Sequence, residues 1–171
     1  MKFIEEVKSK RNFESFLIIY FLTFMISTVF SLILFDNIKD LQNEFSISLV
    51  IKSLFFIICL IFIWFFFINI HTQILITKNG ITIKKFFKTK YYDFEDLNLY
   101  FERLEPSKYK DYKGLFIVKG NEVVERISSF DYSNYEELKH SLKLEENKNV
   151  RINSLDILRL MFGQVVKVSK R

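Results

Sequence analysis

From Ser15 to Phe35 (SFLIIYFLTFMISTVFSLILF) the chain carries no charged side chain, and it carries none again from Ser53 to Thr77. A helix rises about 1.5 Å per residue, so about 20 residues cross a hydrocarbon layer ~30 Å thick. A soluble helix of this length would show a polar stripe with a period near 3.6. Here only Thr23, Ser27, Thr28 and Ser31 interrupt the first run, and hydroxyls can bond back to their own helix or across to a neighbour. No small-x-small cleavage site precedes Asp36, so the first run reads as an uncleaved signal-anchor. The lipid-facing part of the second run is Ile47–Ile70. Lys52 lies near its start, where a long stem can bury while the ammonium snorkels outward. At the centre of a span the same lysine would cost about 2.5–3.5 kcal/mol.

The sequence therefore predicts a tail over 1–14, a first transmembrane helix over 15–35, a short loop over 36–46 and a second helix over 47–70. A polar domain follows over 73–146, and 147–171 form a basic extension with a short helix. The predicted loop has Lys39 against Asp36, Asp40 and Glu44. Lys2, Lys8, Lys10 and Arg11 precede the first span, and Lys78, Lys84, Lys85, Lys88 and Lys90 follow the second. The positive-inside rule then places both termini in the cytoplasm and the loop outside, as in a multi-pass protein of the inner (plasma) membrane. Thr23, Ser27 and Ser31 fall on one helical face at i, i+4 and i+8. Such a face packs on the second span or on another protomer.

After Gln73 the pattern alternates. Ile74 and Ile76 precede Asn79-Gly80, and Ile81 and Ile83 follow it, which signals a hairpin whose two central residues take positive φ. Further strands are expected over Lys90–Phe94, Leu97–Leu104, Leu115–Lys119 and Val123–Ser128. Gly80, Gly114 and Gly120 are each expected at a turn, and Pro106 ends the strand before it. Ser133-Asn134-Tyr135-Glu136 matches a capping box, with Tyr135, Leu138 and Leu142 at helical spacing behind it. Asn153 or Ser154 is expected to cap a second short helix that ends at Gly163, with Leu155, Leu158 and Phe162 on its apolar face. That helix either docks on the domain, lies on a membrane surface or binds a partner.

The opening ILITKNGITIKKFF, the aromatic-acidic FEDL (Phe94–Leu97), the hairpin LFIVKGNEVVERI and the final SNYEELKHSLK together resemble the bacterial pleckstrin-homology-like domains of small two-helix membrane proteins. The resemblance covers Gln73–Leu144. It implies an α+β domain with a half-open antiparallel barrel of about seven strands, closed by a C-terminal helix. Six strands are readable directly, and Lys108–Tyr112 is the candidate for the seventh.

No P-loop, HExxH, GxGxxG or Ser-His-Asp order occurs, and no enzyme, cofactor or metal centre is expected. Cys59 is alone inside an apolar run and reads as a small filler. His71 and His140 have no nucleophile or acid nearby in sequence. Asp93, Glu95 and Asp96 read as a solvated turn and cap. The net charge of +5 comes with no nucleic-acid-binding signature. It either marks the cytoplasmic side or attracts anionic lipid. For the latter the candidates are Lys84, Lys85, Lys88 and Lys90, each worth about 1 kcal/mol near a charged leaflet. The chain thus reads as a non-enzymatic membrane protein whose domain meets a protein, another copy of itself or anionic headgroups. The alternative is an accessory or immunity-type subunit of a membrane complex that acts through its hairpin.

Overall fold

A computed structural model describes residues 6–70, 72–105 and 110–170. The chain divides into two compact units, Leu17–Ile68 and the combination of Met1–Phe16 with Asn69–Arg171.

Two helices, α1 (Phe13–Asn43) and α2 (Ile47–Ile70), are long and apolar enough to cross a membrane. The second has the bounds expected from sequence. The first runs past Phe35 and absorbs most of the predicted loop, because no glycine or proline breaks it before Asn43. Only residues 44–46 connect the two helices. Edge-to-face rings join them, with Phe30 on Phe56 at 5.4 Å and Tyr20 on Phe67 at 4.9 Å. Lys52 stands exposed in the second turn of α2.

The other unit contains two four-stranded antiparallel sheets. The first is ordered β1 (Glu6–Lys8), β2 (Gln73–Thr77), β3 (Gly80–Lys85) and β4 (Lys88–Asp93). A single 3₁₀ turn, Phe94–Asp96, leads into the second sheet. Its strands are β5 (Leu99–Glu105), β6 (Tyr112–Lys119), β7 (Glu122–Ser128) and, beyond α3 (Tyr135–Ser141), β9 (Val166–Lys167). Two short strands, β8 (Val150–Arg151) and β10 (Ser169–Lys170), pair with each other on either side of α4 (Ser154–Met161).

The main core lies between the sheets. Val7, Ile74, Ile76, Ile81 and Ile83 from the first sheet join Leu115, Ile117 and Ile127 from the second, under Tyr132, Tyr135, Leu138 and Leu142. Phe116 and Val118 alternate to the far face of β6. There they meet Phe101, Val123, Val150, Ile152 and Val166.

Several expectations change. From Glu6 onward the predicted tail 1–14 belongs to the domain: β1 pairs with β2, and Val7 is buried in the main core. The described part of the predicted extension 147–171 is likewise part of the domain, since β9 completes the second sheet and Ile157 and Leu160 of α4 cover its core. Docking therefore uses Ile157 and Leu160, while Leu155 and Leu158 stay exposed. Instead of about seven strands, each sheet has four. Pro106 and the first part of Lys108–Tyr112 lie outside the described residues; β6 begins at Tyr112.

The Asn79-Gly80 hairpin forms, but without the expected turn. Gly80 opens β3 opposite Asp93, and among the described residues only Gly120 and Gly163 have positive φ. Gly80 is needed for closeness instead, because a Cβ there would strike the Tyr92 carbonyl oxygen. Gly114 also lies inside a strand, where the Glu105 carboxylate passes over it. The Ser133 capping box is absent. Asn134 is the N-cap, and its side chain serves the N-terminal segment: its Oδ1 accepts from the Lys10 N–H at 2.7 Å and its Nδ2 donates to the Lys8 carbonyl at 3.0 Å. The later helix keeps to its expectation, with Asp156 Oδ2 accepting from the Asn153 N–H and Gly163 just past its end.

Candidate functional site

Strand register sorts the four lysines of the β3–β4 hairpin. Ile81, Ile83 and Lys85 lie opposite Tyr92, Lys90 and Lys88, so these six share the core-facing side of the sheet. Lys84, opposite Thr89, lies on the other side. The four therefore do not form one patch. Lys84, Lys88 and Lys90 are exposed, whereas the Lys85 ammonium turns inward to Glu125 Oε2 at 3.1 Å. This removes Lys85 from the expected lipid-contact set. No sequence signal marked Glu125 as its partner, since the two lie in different sheets.

Glu125 is the most deeply placed carboxylate of this end. Burial pushes its pKa up, against the opposing pull of Lys85 and of the Arg126 backbone N–H. Its neighbours form a second charge cluster. Arg126 grips Glu105 with Nε to Oε1 at 2.6 Å and NH2 to Oε2 at 2.7 Å, and donates from NH1 to Asp131 Oδ2 at 2.8 Å. Ser128 Oγ also donates to Glu105, at 2.8 Å. Burial alone would lower the Arg126 pKa, but its two carboxylates hold it above the ordinary range. Burial raises Asp131 despite Arg126. Every charge in this cluster has a partner, which fits a structural network better than a reacting group.

The same end of the domain is where the chain runs to both long helices. Asn12, just before α1, donates its N–H to the Asp131 carbonyl at 2.9 Å. Thr72, just after α2, accepts from the Tyr132 hydroxyl at 2.9 Å through its carbonyl. A cavity of about 30 Å³, the space of one water, lies among Asn69, Thr72, Lys85, Glu125 and Tyr132. The C-terminal end of α4 reaches this place too, with Gly163 against Asn69.

The predicted small-residue face of α1 is divided. Thr23 and Ser27 are half-buried and Ser31 is exposed. All three line an apolar groove of about 740 Å³ with Tyr20, Phe24, Phe35, Trp64 and Phe67. Ser27 Oγ is buried there with no hydrogen-bond partner among the described residues.

The acidic cluster behaves as a cap. Asp93 Oδ1 accepts from the Glu95 N–H at 3.2 Å, and Asp96 pairs with Lys119 at 2.9 Å. His140 is exposed on α3, and His71 lies outside the described residues.

Searches of family models, curated proteins and solved structures find no match for this chain.

Proposed function

We propose that this is a non-enzymatic integral membrane protein. Its two-sheet domain is held at the cytoplasmic face of the inner membrane and meets anionic lipid or a protein partner there. One observation carries the reading. Both connections to the long apolar helices, at Asn12–Phe13 and Ile70–Gln73, leave from one end of the domain, and the exposed Lys84, Lys88 and Lys90 belong to the hairpin at that end. Basic residues flanking apolar helices favour the cytoplasmic side and attract anionic headgroups. A pleckstrin-homology-like ancestry accords with two antiparallel sheets closed by α3, although β8, α4, β9 and β10 extend beyond the helix that ends the expected pattern.

The test is topological and uses the full chain. A soluble fragment cut at Gln73 would lack β1 and leave the place of Val7 empty. With Cys59→Ser as background, single cysteines at Asn149 and Gln42 are labelled by an impermeant maleimide on intact cells and on inverted vesicles. The reading expects Asn149→Cys to label only in inverted vesicles and Gln42→Cys only on cells. The opposite pattern, or labelling of neither site in membranes, would falsify it.

The groove at Thr23, Ser27 and Ser31 favours a second reading, in which the protein is an accessory or immunity-type subunit acting through its hairpin. Replacing Leu17–Ile68 with an unrelated helical hairpin separates the two. Function is retained on the first reading and lost on the second.

A further inference from the structure

The turn between β3 and β4 is Phe86-Phe87, closed by Lys85 opposite Lys88. The two rings are 70% and 80% exposed. They stack edge-to-face on each other, centroids 4.8 Å apart, and neither belongs to either core cluster. Two large aromatic side chains at the tip of a ladder bury almost nothing and add little to folding. An exposed apolar tip rimmed by charge marks a contact surface.

Register shows where the tip stands. Gln73 pairs with Lys84, so the turn projects just past the first residue of β2. Gln73 follows Ile70 by three positions, a chain reach of about 11 Å at most. Lys85 lines the same small cavity as Asn69, Ile70 and Thr72. The aromatic tip is therefore at the end of the domain from which the chain enters α2. Between Lys84 and Lys90 there is no acidic residue.

We infer that Phe86 and Phe87 form a membrane wedge. It sits at the boundary of headgroups and acyl chains in the leaflet from which the chain emerges, with Lys84, Lys88 and Lys90 on the lipid phosphates. The inference rests on the reading that α1 and α2 span a bilayer. Aromatic rings favour that boundary, and lysines favour an anionic surface. The continuity of the hairpin with the α2 connection, and its unmixed positive charge, select an anionic lipid surface as the occupant. The wedge adds a third attachment to the two helical connections and restricts rotation of the domain about them.

The experiment uses the full chain in nanodiscs of phosphatidylcholine, with and without phosphatidylglycerol. In one protein Trp64, the only tryptophan, is kept. In the other, Trp64→Phe is combined with Phe87→Trp, so that the introduced indole alone reports. Spin-labelled lipids quench at shallow or deep positions. The wedge predicts blue-shifted emission from the introduced indole and stronger quenching by the shallow label than by the deep one. Lys84→Glu, Lys88→Glu and Lys90→Glu together should greatly reduce both effects in anionic discs.

Water-like emission without lipid quenching, while Trp64 is quenched by the deep label, overturns the wedge and leaves the spanning reading intact. Failure of any lipid label to quench Trp64 overturns both. A blue shift that no lipid label quenches, and that fades when discs carry a single chain, assigns the tip to a second copy and overturns the wedge as well.

Discussion

The sheet β1-β2-β3-β4 and the sheet β5-β6-β7-β9 are built from similar strands, yet they stand in opposite relations to water. In β6, five consecutive residues from Gly114 to Val118 are buried, because both faces are covered. In β2 and β3 burial alternates, and most of β4 is exposed. A sheet covered on both sides can hold charge only where it is paired, as at Arg126, and has no face left for a partner. A sheet covered on one side keeps a free face and a free edge. Surface contacts therefore fall to β3 and β4, and structural charge to β5 and β7.

The most forceful way to break this comparison is Arg126→Met. It leaves Glu105 and Asp131 buried without a cation, and loss of one partner from a buried pair costs about 3–5 kcal/mol. Denaturant unfolding of the purified full chain in detergent, followed by near-UV circular dichroism, measures it. A cost below about 1 kcal/mol would mean that the cluster is a surface pair in effect.

A second substitution asks whether the first sheet includes the N-terminal segment. Val7→Ala removes two buried carbons, at about 0.8 kcal/mol each, so a loss of about 1.5 kcal/mol is expected in the same assay. An unchanged midpoint would return β1 to the status of a tail.

Glu125, which joins the two sheets through Lys85, responds to pH. The folded state holds the Glu125 proton to higher pH than the unfolded chain, whose ordinary value is 4.5. From there up to the raised folded value the native state binds more protons, so stability falls as pH rises through that window. Glu125→Gln is expected to remove this contribution. The charged and titratable groups around Glu125 are Lys85 from β3, Arg126 on the same strand, and Asp131 and Tyr132 beyond it, and all four are present in both proteins. Unfolding curves from pH 4 to pH 8 for both proteins would show it; parallel curves would refute the assignment.

The smallest effect on folding belongs to the exposed lysines of the β3–β4 hairpin. Lys84→Gln, Lys88→Gln and Lys90→Gln together should change stability by no more than about 0.5 kcal/mol each. They should nonetheless reduce the attraction of the hairpin to anionic discs, as seen in the salt dependence of lipid quenching at an indole introduced by Phe87→Trp. A large loss of stability would place these lysines in the fold rather than on its surface.

Much of the architecture was legible in advance where its cause is local. Charge-free runs over 15–35 and 53–77 announce long apolar helices, since a charge at the centre of a hydrocarbon layer is costly. Alternation at Ile74, Ile76, Ile81 and Ile83 announces the β2–β3 hairpin and the side that is buried. The candidate site was only partly legible. The lysines were visible, but nothing in the sequence marked the Phe86-Phe87 between them as an exposed tip, because aromatic residues suit strands and tips alike.

The opening apolar runs, the hairpin and the last helix with its Asn153 cap and its stop at Gly163 follow from the sequence by itself, because each depends on residues within a few positions of one another. Only the tertiary structure decided that Val7 belongs to the core, that Asn134 bonds to Lys8 across 126 residues, and that Lys85 answers to Glu125 while Lys84, Lys88 and Lys90 face water. Those outcomes depend on which strands become neighbours, and on which side of the sheet a side chain then lies. A one-residue change of register would reverse every one of those faces without altering the pattern that announces the strand.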